Sequence, residues 1–169
     1  QKIVELLADT TYKKLTRDPT NRIIRRTTTL LKSSSLLAEV IKVLLPHSAT
    51  PPRIYGLPKI HKQGLPLRPI VSTIRSPTYH LAKHLTNMLQ PLIGTCEHHV
   101  KNSTEFVRIL ENIRVVPSDL LVSFDVISLF TKVPIKEALE LVAEQFPDNI
   151  LQLFRLALTT TYFTYNSEF

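Results

Sequence analysis

Apolar residues recur three and four positions apart over much of this chain, and that spacing lays out its helices. Ile3, Val4, Leu6, Leu7 and Leu15 among polar neighbours predict a short amphipathic helix within residues 2–17. Asp18-Pro19 restarts a helix, with the carboxylate as N-cap and the proline in the first turn. Ile23, Ile24, Leu30 and Leu31 supply its packing, and Ser33-Ser34-Ser35 breaks it. A third helix over residues 36–45 stops before Pro46. Ser76-Pro77 begins a long helix, N-cap then proline, with Leu81, Leu85, Met88 and Leu92 as its buried stripe and Gly94 at its end. Asn102-Ser103-Thr104-Glu105 reads as an N-cap region ahead of a helix whose inner face is Phe106, Ile109, Leu110 and Ile113. Pro134 starts a helix with Ala138, Leu139 and Val142 inside, and a very apolar helix from Ile150 to Leu158 follows Asp148-Asn149.

Elsewhere the period shifts. Pro46, Pro51 and Pro52 mark an extended linker. Residues 53–62 and 66–73 are β-rich segments around a polar turn through Gly64, which predicts a hairpin. Its prolines belong at a sheet edge or in bulges, so Lys59, Lys62 and Arg68 are expected on an exposed basic ribbon. Leu120-Leu121-Val122-Ser123-Phe124 has the near-continuous apolar character of a strand buried on both faces, and it ends in Asp125. A lone acid there is costly to desolvate unless a cation or a donor meets it. Asp125 either caps the next turn or holds a metal. Residues 159–165 turn β-rich again, and Asn166-Ser167 predicts a hairpin turn. Helices and hairpins together predict an α+β fold.

Composition adds a partner and removes several function classes. With 169 residues, 43% hydrophobic and 21% charged, the chain can bury one real core. Its net +7 is uneven: residues 1–62 hold twelve Lys/Arg against four Asp/Glu, net +8, and residues 63–169 hold nine against ten, net −1. That asymmetry points to a polyanion on one side, with Arg22, Arg25 and Arg26, and the more distant Lys32, near one helix face; a merely solvated basic surface is the plain alternative. The single cysteine, Cys96, rules out a disulfide framework and suggests a reducing, intracellular setting. No apolar run reaches membrane-spanning length, and three glycines leave no glycine-rich phosphate loop. His80, His84, Cys96, His98 and His99 are zinc-ligand types in a spacing that fits no common zinc pattern. The chain starts at Gln1 and ends within the expected last hairpin, so it reads as a piece of a larger protein.

Three motifs then fall in order: YGLPKIHK at residues 55–62, PLRPIVS at 66–72 and LVSFDVISLFTKVP at 121–134. Together they resemble the reverse transcriptases of Penelope-like retroelements, relatives of telomerase. DTTYKKL at residues 9–15 and RDPT at 17–20 extend the likeness over most of the chain. The resemblance implies the fingers and partial palm of a right-hand polymerase: a basic helical segment over residues 1–50, fingers over 51–118 and the start of the palm over 119–169. It implies RNA-directed DNA polymerase activity, in which deoxynucleoside triphosphates are added to a primer 3′-OH by two-metal phosphoryl transfer with Mg2+ or Mn2+. The implied partners are an RNA template and a DNA primer, without a membrane, and the implied setting is the nucleus.

Lys59 and Arg68 match the positions that embrace the incoming triphosphate. Asp125 matches the first catalytic carboxylate, and the backbone carbonyl of Val126 the one that touches a metal. Phe130 matches the aromatic gate beneath the sugar, whose bulk rejects a 2′-OH; core packing is the other reading of that ring. Arg22, Arg25, Arg26 and Lys62 are expected against nucleic acid. The family's second acidic motif, an aromatic residue followed by an Asp pair, does not occur in this sequence. The fragment alone is therefore expected to be inactive, and a non-catalytic nucleic-acid-binding remnant or domesticated module is the alternative function.

Overall fold

In the computed structural model, which describes residues 2–114, 116–126 and 132–169, the chain is mixed α and β. Helices α1 (Lys2–Leu7), α2 (Thr20–Ser33) and α3 (Ala38–Leu44) precede the strands β1 (Arg53–Pro58) and β2 (Leu67–Ser72). Helix α4 (Tyr79–Leu89) runs into a 3-10 turn at Gln90–Leu92, followed by α5 (Ser103–Glu111), α6 (Ile135–Gln145) and α7 (Asp148–Thr159). The chain divides into two units, one of residues 1–85 with 133–169 and one of residues 86–132.

In the first unit α7 is the central helix, packed against both α2 and α6. It buries Ile150, Leu153, Phe154 and Leu156, a cluster at three- and four-residue spacing, and Leu153 and Leu156 are completely enclosed. Ile23 and Leu31 of α2 and Leu139 of α6 are buried on the helices that pack against it, and Leu44 of α3 and Leu81 and Leu85 of α4 are buried as well. The Phe146 ring lies 5.4 Å from that of Phe154.

Helix α2 begins as its sequence demands. The Asp18 carboxylate accepts from the Thr20 N–H at 2.8 Å and from the Thr20 hydroxyl, while the Pro19 carbonyl accepts from the Ile23 N–H at 3.0 Å. One residue later than expected, the helix starts at Thr20. It ends where the Ser33 and Ser34 hydroxyls donate back to the Leu30 and Leu31 carbonyls, at 3.1 and 2.7 Å.

Thr20 also ties this helix to the far end of the chain. Its hydroxyl lies 2.8 Å from the Tyr162 hydroxyl; since Thr20 donates to Asp18, the tyrosine donates to Thr20. Burial raises the Tyr162 pKa above the usual phenol value and the Asp18 carboxylate pushes the same way, while the Thr20 hydroxyl, able to turn toward a phenolate, works against both. Because the folded pKa is the higher one, the stability linked to Tyr162 is fully present below about pH 10 and is lost as pH rises through the folded pKa. In an ultraviolet titration Tyr162 should therefore ionise later than an ordinary phenol, and Tyr162→Phe should remove that late step.

Two expectations for the first unit need correction. The helix within residues 2–17 stops at Leu7, because the Asp9 carboxylate accepts from both the N–H (2.8 Å) and the hydroxyl of Thr11, a local turn that competes with helix. Ser76 does not cap α4. A turn through Arg75, with φ at +66°, carries Ser76 inside, where its hydroxyl is buried with no hydrogen-bond partner among the described residues, and the helix starts at Tyr79.

In the second unit α5 is capped as expected. Asn102 Oδ1 accepts from the Glu105 N–H at 3.0 Å, and Glu105 Oε2 accepts from the Lys101 N–H. Its apolar face, however, is not inside: Phe106, Ile109 and Ile113 are exposed, as is Leu92, and only Leu110 is half-buried. The run before Asp125 is not a strand. Residues 120–126 are irregular, and Leu120, Leu121 and Phe124 are 87%, 83% and 92% exposed. A strand buried on both faces needs a hydrogen-bonded neighbour and a covering layer on each side. Among the described residues the only sheet is the β1–β2 pair, so neither is on hand.

The last turn forms as expected. The Tyr165 and Glu168 backbones exchange hydrogen bonds of 2.9 and 3.0 Å around Asn166 and Ser167, both at positive φ, the geometry of a type I′ turn. Its approach lies beside β1 rather than forming a strand: Thr164 donates to the Pro52 carbonyl at 2.7 Å in a parallel bridge with Arg53. On its other side the Leu15 N–H reaches the Phe169 carbonyl at 2.7 Å, Lys14 pairs with Glu168, and Tyr12 stands edge-on to Phe163 at 5.7 Å.

Candidate functional site

The expected basic ribbon is β1–β2. The strands are antiparallel, with Tyr55 opposite Ile70, Gly56 opposite Pro69 and Leu57 opposite Arg68. Opposed residues share a face. One face therefore carries Arg53, Tyr55, Leu57, Arg68 and Ile70, and all but the half-buried Ile70 are exposed. The other carries the buried Ile54 with Gly56 and Leu67. A Cβ at Gly56 would sit 2.6 Å from the Leu67 side chain, so the glycine is what lets Leu67 fold across that face.

The connection between the strands is closed by the Lys59 N–H on the Pro66 carbonyl at 2.9 Å, with the Lys62 N–H on the Lys59 carbonyl (3.0 Å) and the Leu65 N–H on the Lys62 carbonyl (3.1 Å) inside it. Gly64 and Leu65 are both left-handed, with φ at +76° and +48°. Lys59 is half-buried at the end of β1, Lys62 is exposed in the turn, and Arg68 is exposed on β2. The hairpin thus gathers these three expected residues on one element.

Arg22, Arg25, Arg26 and Lys32 are all exposed on α2, on the side away from the buried Ile23, Thr27 and Leu31. Among the described residues, none of these seven cations is in an ion pair. Both elements therefore present uncompensated positive charge to solvent, the condition for holding phosphates.

Asp125 and Val126 belong to the second unit, both exposed in the irregular segment. Phe130 lies outside the described residues. Among the described residues no three His, Cys, Asp or Glu side chains come together to hold a metal, and that includes His80, His84, Cys96, His98 and His99. The His80 ring instead stands edge-on to Tyr79 at 5.3 Å. One carboxylate and one backbone carbonyl do not by themselves fit a pair of magnesium ions, which take several carboxylate and phosphate oxygens.

The chain matches no family model, no curated protein and no solved structure. No helix among the described residues is long and apolar enough to cross a membrane. Two features of the site escaped sequence reasoning. Arg53, Tyr55 and Leu57 share Arg68's face; the alternation was present in RIYGLP and LRPIVS, but the strand register was needed to align the two. Lys2 reaches the hairpin turn across 62 positions, and nothing local in the sequence marks that contact.

Proposed function

We propose that this chain is the fingers and the first part of the palm of an RNA-directed DNA polymerase similar to the reverse transcriptases of Penelope-like retroelements. The observation that carries the proposal is the β1–β2 hairpin, with Arg68 in no ion pair among the described residues on its open face and Lys59 and Lys62 at its turn. A triphosphate needs mobile positive charge, and a guanidinium can grip phosphate through two parallel donors. The three sequence motifs, in order, assign the hairpin to the incoming nucleotide and Asp125 with the Val126 carbonyl to the metal side. Phe130 is assigned to the sugar. The exposed arginines of α2 fit the sugar-phosphate backbone of an RNA–DNA hybrid.

The described residues supply too few carboxylates for a magnesium pair, so Asp125 is proposed as one ligand among others that lie elsewhere than in these residues. The same observation favours a second reading, a nucleic-acid-binding module without catalysis, which would keep the basic surfaces and need no metal.

Both readings require a phosphate-binding surface, which a salt titration tests. Affinity for a labelled RNA–DNA duplex should fall steeply between low and moderate salt. Replacing Arg22, Arg25 and Arg26 together by Ala should weaken binding uniformly across sequences and flatten the log–log salt slope by about two to three. Affinity indifferent to salt would remove the basic face of α2 from the interface.

A further inference from the structure

A two-stranded ribbon is marginal by itself in water and needs something behind it. Here that support is α1, which packs against β2. Between them lies an open groove of about 580 Å³, lined among others by Lys2, Ile3, Ile54, Gly56, Leu67 and Tyr165. Ile54, Gly56 and Leu67 belong to the hairpin face opposite Arg68. Tyr55, from Arg68's face, also lines the groove, but Arg53, Tyr55, Leu57 and Arg68 all stay exposed with the helix in place. At its start the Lys2 ammonium donates to the Gly64 carbonyl at 2.7 Å and to the Leu65 carbonyl at 3.1 Å. These are the two consecutive left-handed residues of the turn, and for Leu65 that backbone is strained. A charged donor shared by both carbonyls holds the strained turn in one shape.

We propose that α1 is a brace that sets the resting position of the β1–β2 hairpin, with Lys2 as the latch on its turn. Lys2 is then a positioning residue: it acts on Lys59, Lys62 and Arg68 through the backbone that carries them. The role in nucleotide binding rests on the hairpin being a triphosphate clamp; the brace itself does not. With the latch gone the tip samples other positions, and a ligand that needs the braced shape binds more weakly by the fraction of time that shape is lost.

The test compares the whole chain with its Lys2→Met and Lys2→Arg variants by amide hydrogen exchange. No residue of α1 is buried, so the variants keep the core, and unchanged protection in α2 and α7 verifies it. In Lys2→Met, amides over residues 58–68 should exchange about three- to tenfold faster, the range for losing one or two exposed hydrogen bonds. Lys2→Arg, which keeps charged donors, should restore most of the protection. Hairpin exchange in Lys2→Met equal to that of the unaltered chain would overturn the brace. Inorganic tripolyphosphate added to the same three proteins separates the two ideas. Weaker binding in Lys2→Met, by a similar factor, supports a brace serving a clamp. Tripolyphosphate that leaves the hairpin of the unaltered chain unprotected overturns the clamp, and the exchange comparison still judges the brace.

Discussion

Replacing Asp125 by Asn in the polypeptide that carries this chain should abolish metal-dependent primer extension and leave thermal unfolding where it was. The two halves of that expectation have separate physical grounds. Asp125 is exposed in an irregular segment and accepts no hydrogen bond among the described residues, so removing its charge breaks no packing. Substitutions of that kind usually change stability by less than about 0.5 kcal/mol. Activity is another matter if the carboxylate holds a metal. Charge stabilisation at a metal site supplies several kcal/mol of barrier lowering, so the rate should fall by roughly a thousandfold or more. Extension assays with and without magnesium, beside a melting curve, read both halves at once. Undiminished extension would take Asp125 out of the site. Absent extension in the unaltered polypeptide as well, with duplex binding intact, would leave the binding-module reading in possession.

The largest effect on stability should come from Leu153→Ala. This side chain is completely enclosed on α7, the helix that packs against both α2 and α6. Truncation loses its transfer free energy and leaves a cavity, which together cost about 2–5 kcal/mol. Leu141→Ala on α6 is the control, because Leu141 is 65% exposed and its truncation opens no cavity. Thermal melts followed by circular dichroism should show a large drop for the first and almost none for the second. Equal shifts would mean that α7 is not the centre of the core.

The parts of the fold that were legible in the sequence are those decided within a few residues. Asp18, the serine triplet at 33–35 and Asn102 act on backbone next to them, and each marks a helix end in the structure. The β1–β2 hairpin is equally local, and it carries Arg68 on β2 with Lys59 and Lys62 in the connection. The misreadings share the opposite property. Leu120, Leu121 and Phe124, like Phe106 and Ile109 on α5, are apolar enough to want cover, but hydrophobicity says nothing of where cover comes from. A strand is legible only when its partner strands are. Contacts made by single residues across the chain, such as Lys2 with the hairpin turn or Thr20 with Tyr162, leave no periodic trace at all.

The way the first unit is closed has a consequence for how it comes to be folded. Residues 12–20 meet residues 162–169 through the Leu15–Phe169, Tyr12–Phe163 and Thr20–Tyr162 contacts, and α2 packs on α7. As the chain leaves the ribosome, α2 emerges long before the helix that covers it. Folding of this unit must then wait for distant segments to meet, which makes it slow and leaves its intermediates sticky. The same wiring makes residues 86–132 an excursion between two halves of one body. Those two halves meet directly, through α2 on α7 and residues 12–20 on 162–169, so the body that carries the hairpin is closed by its own contacts.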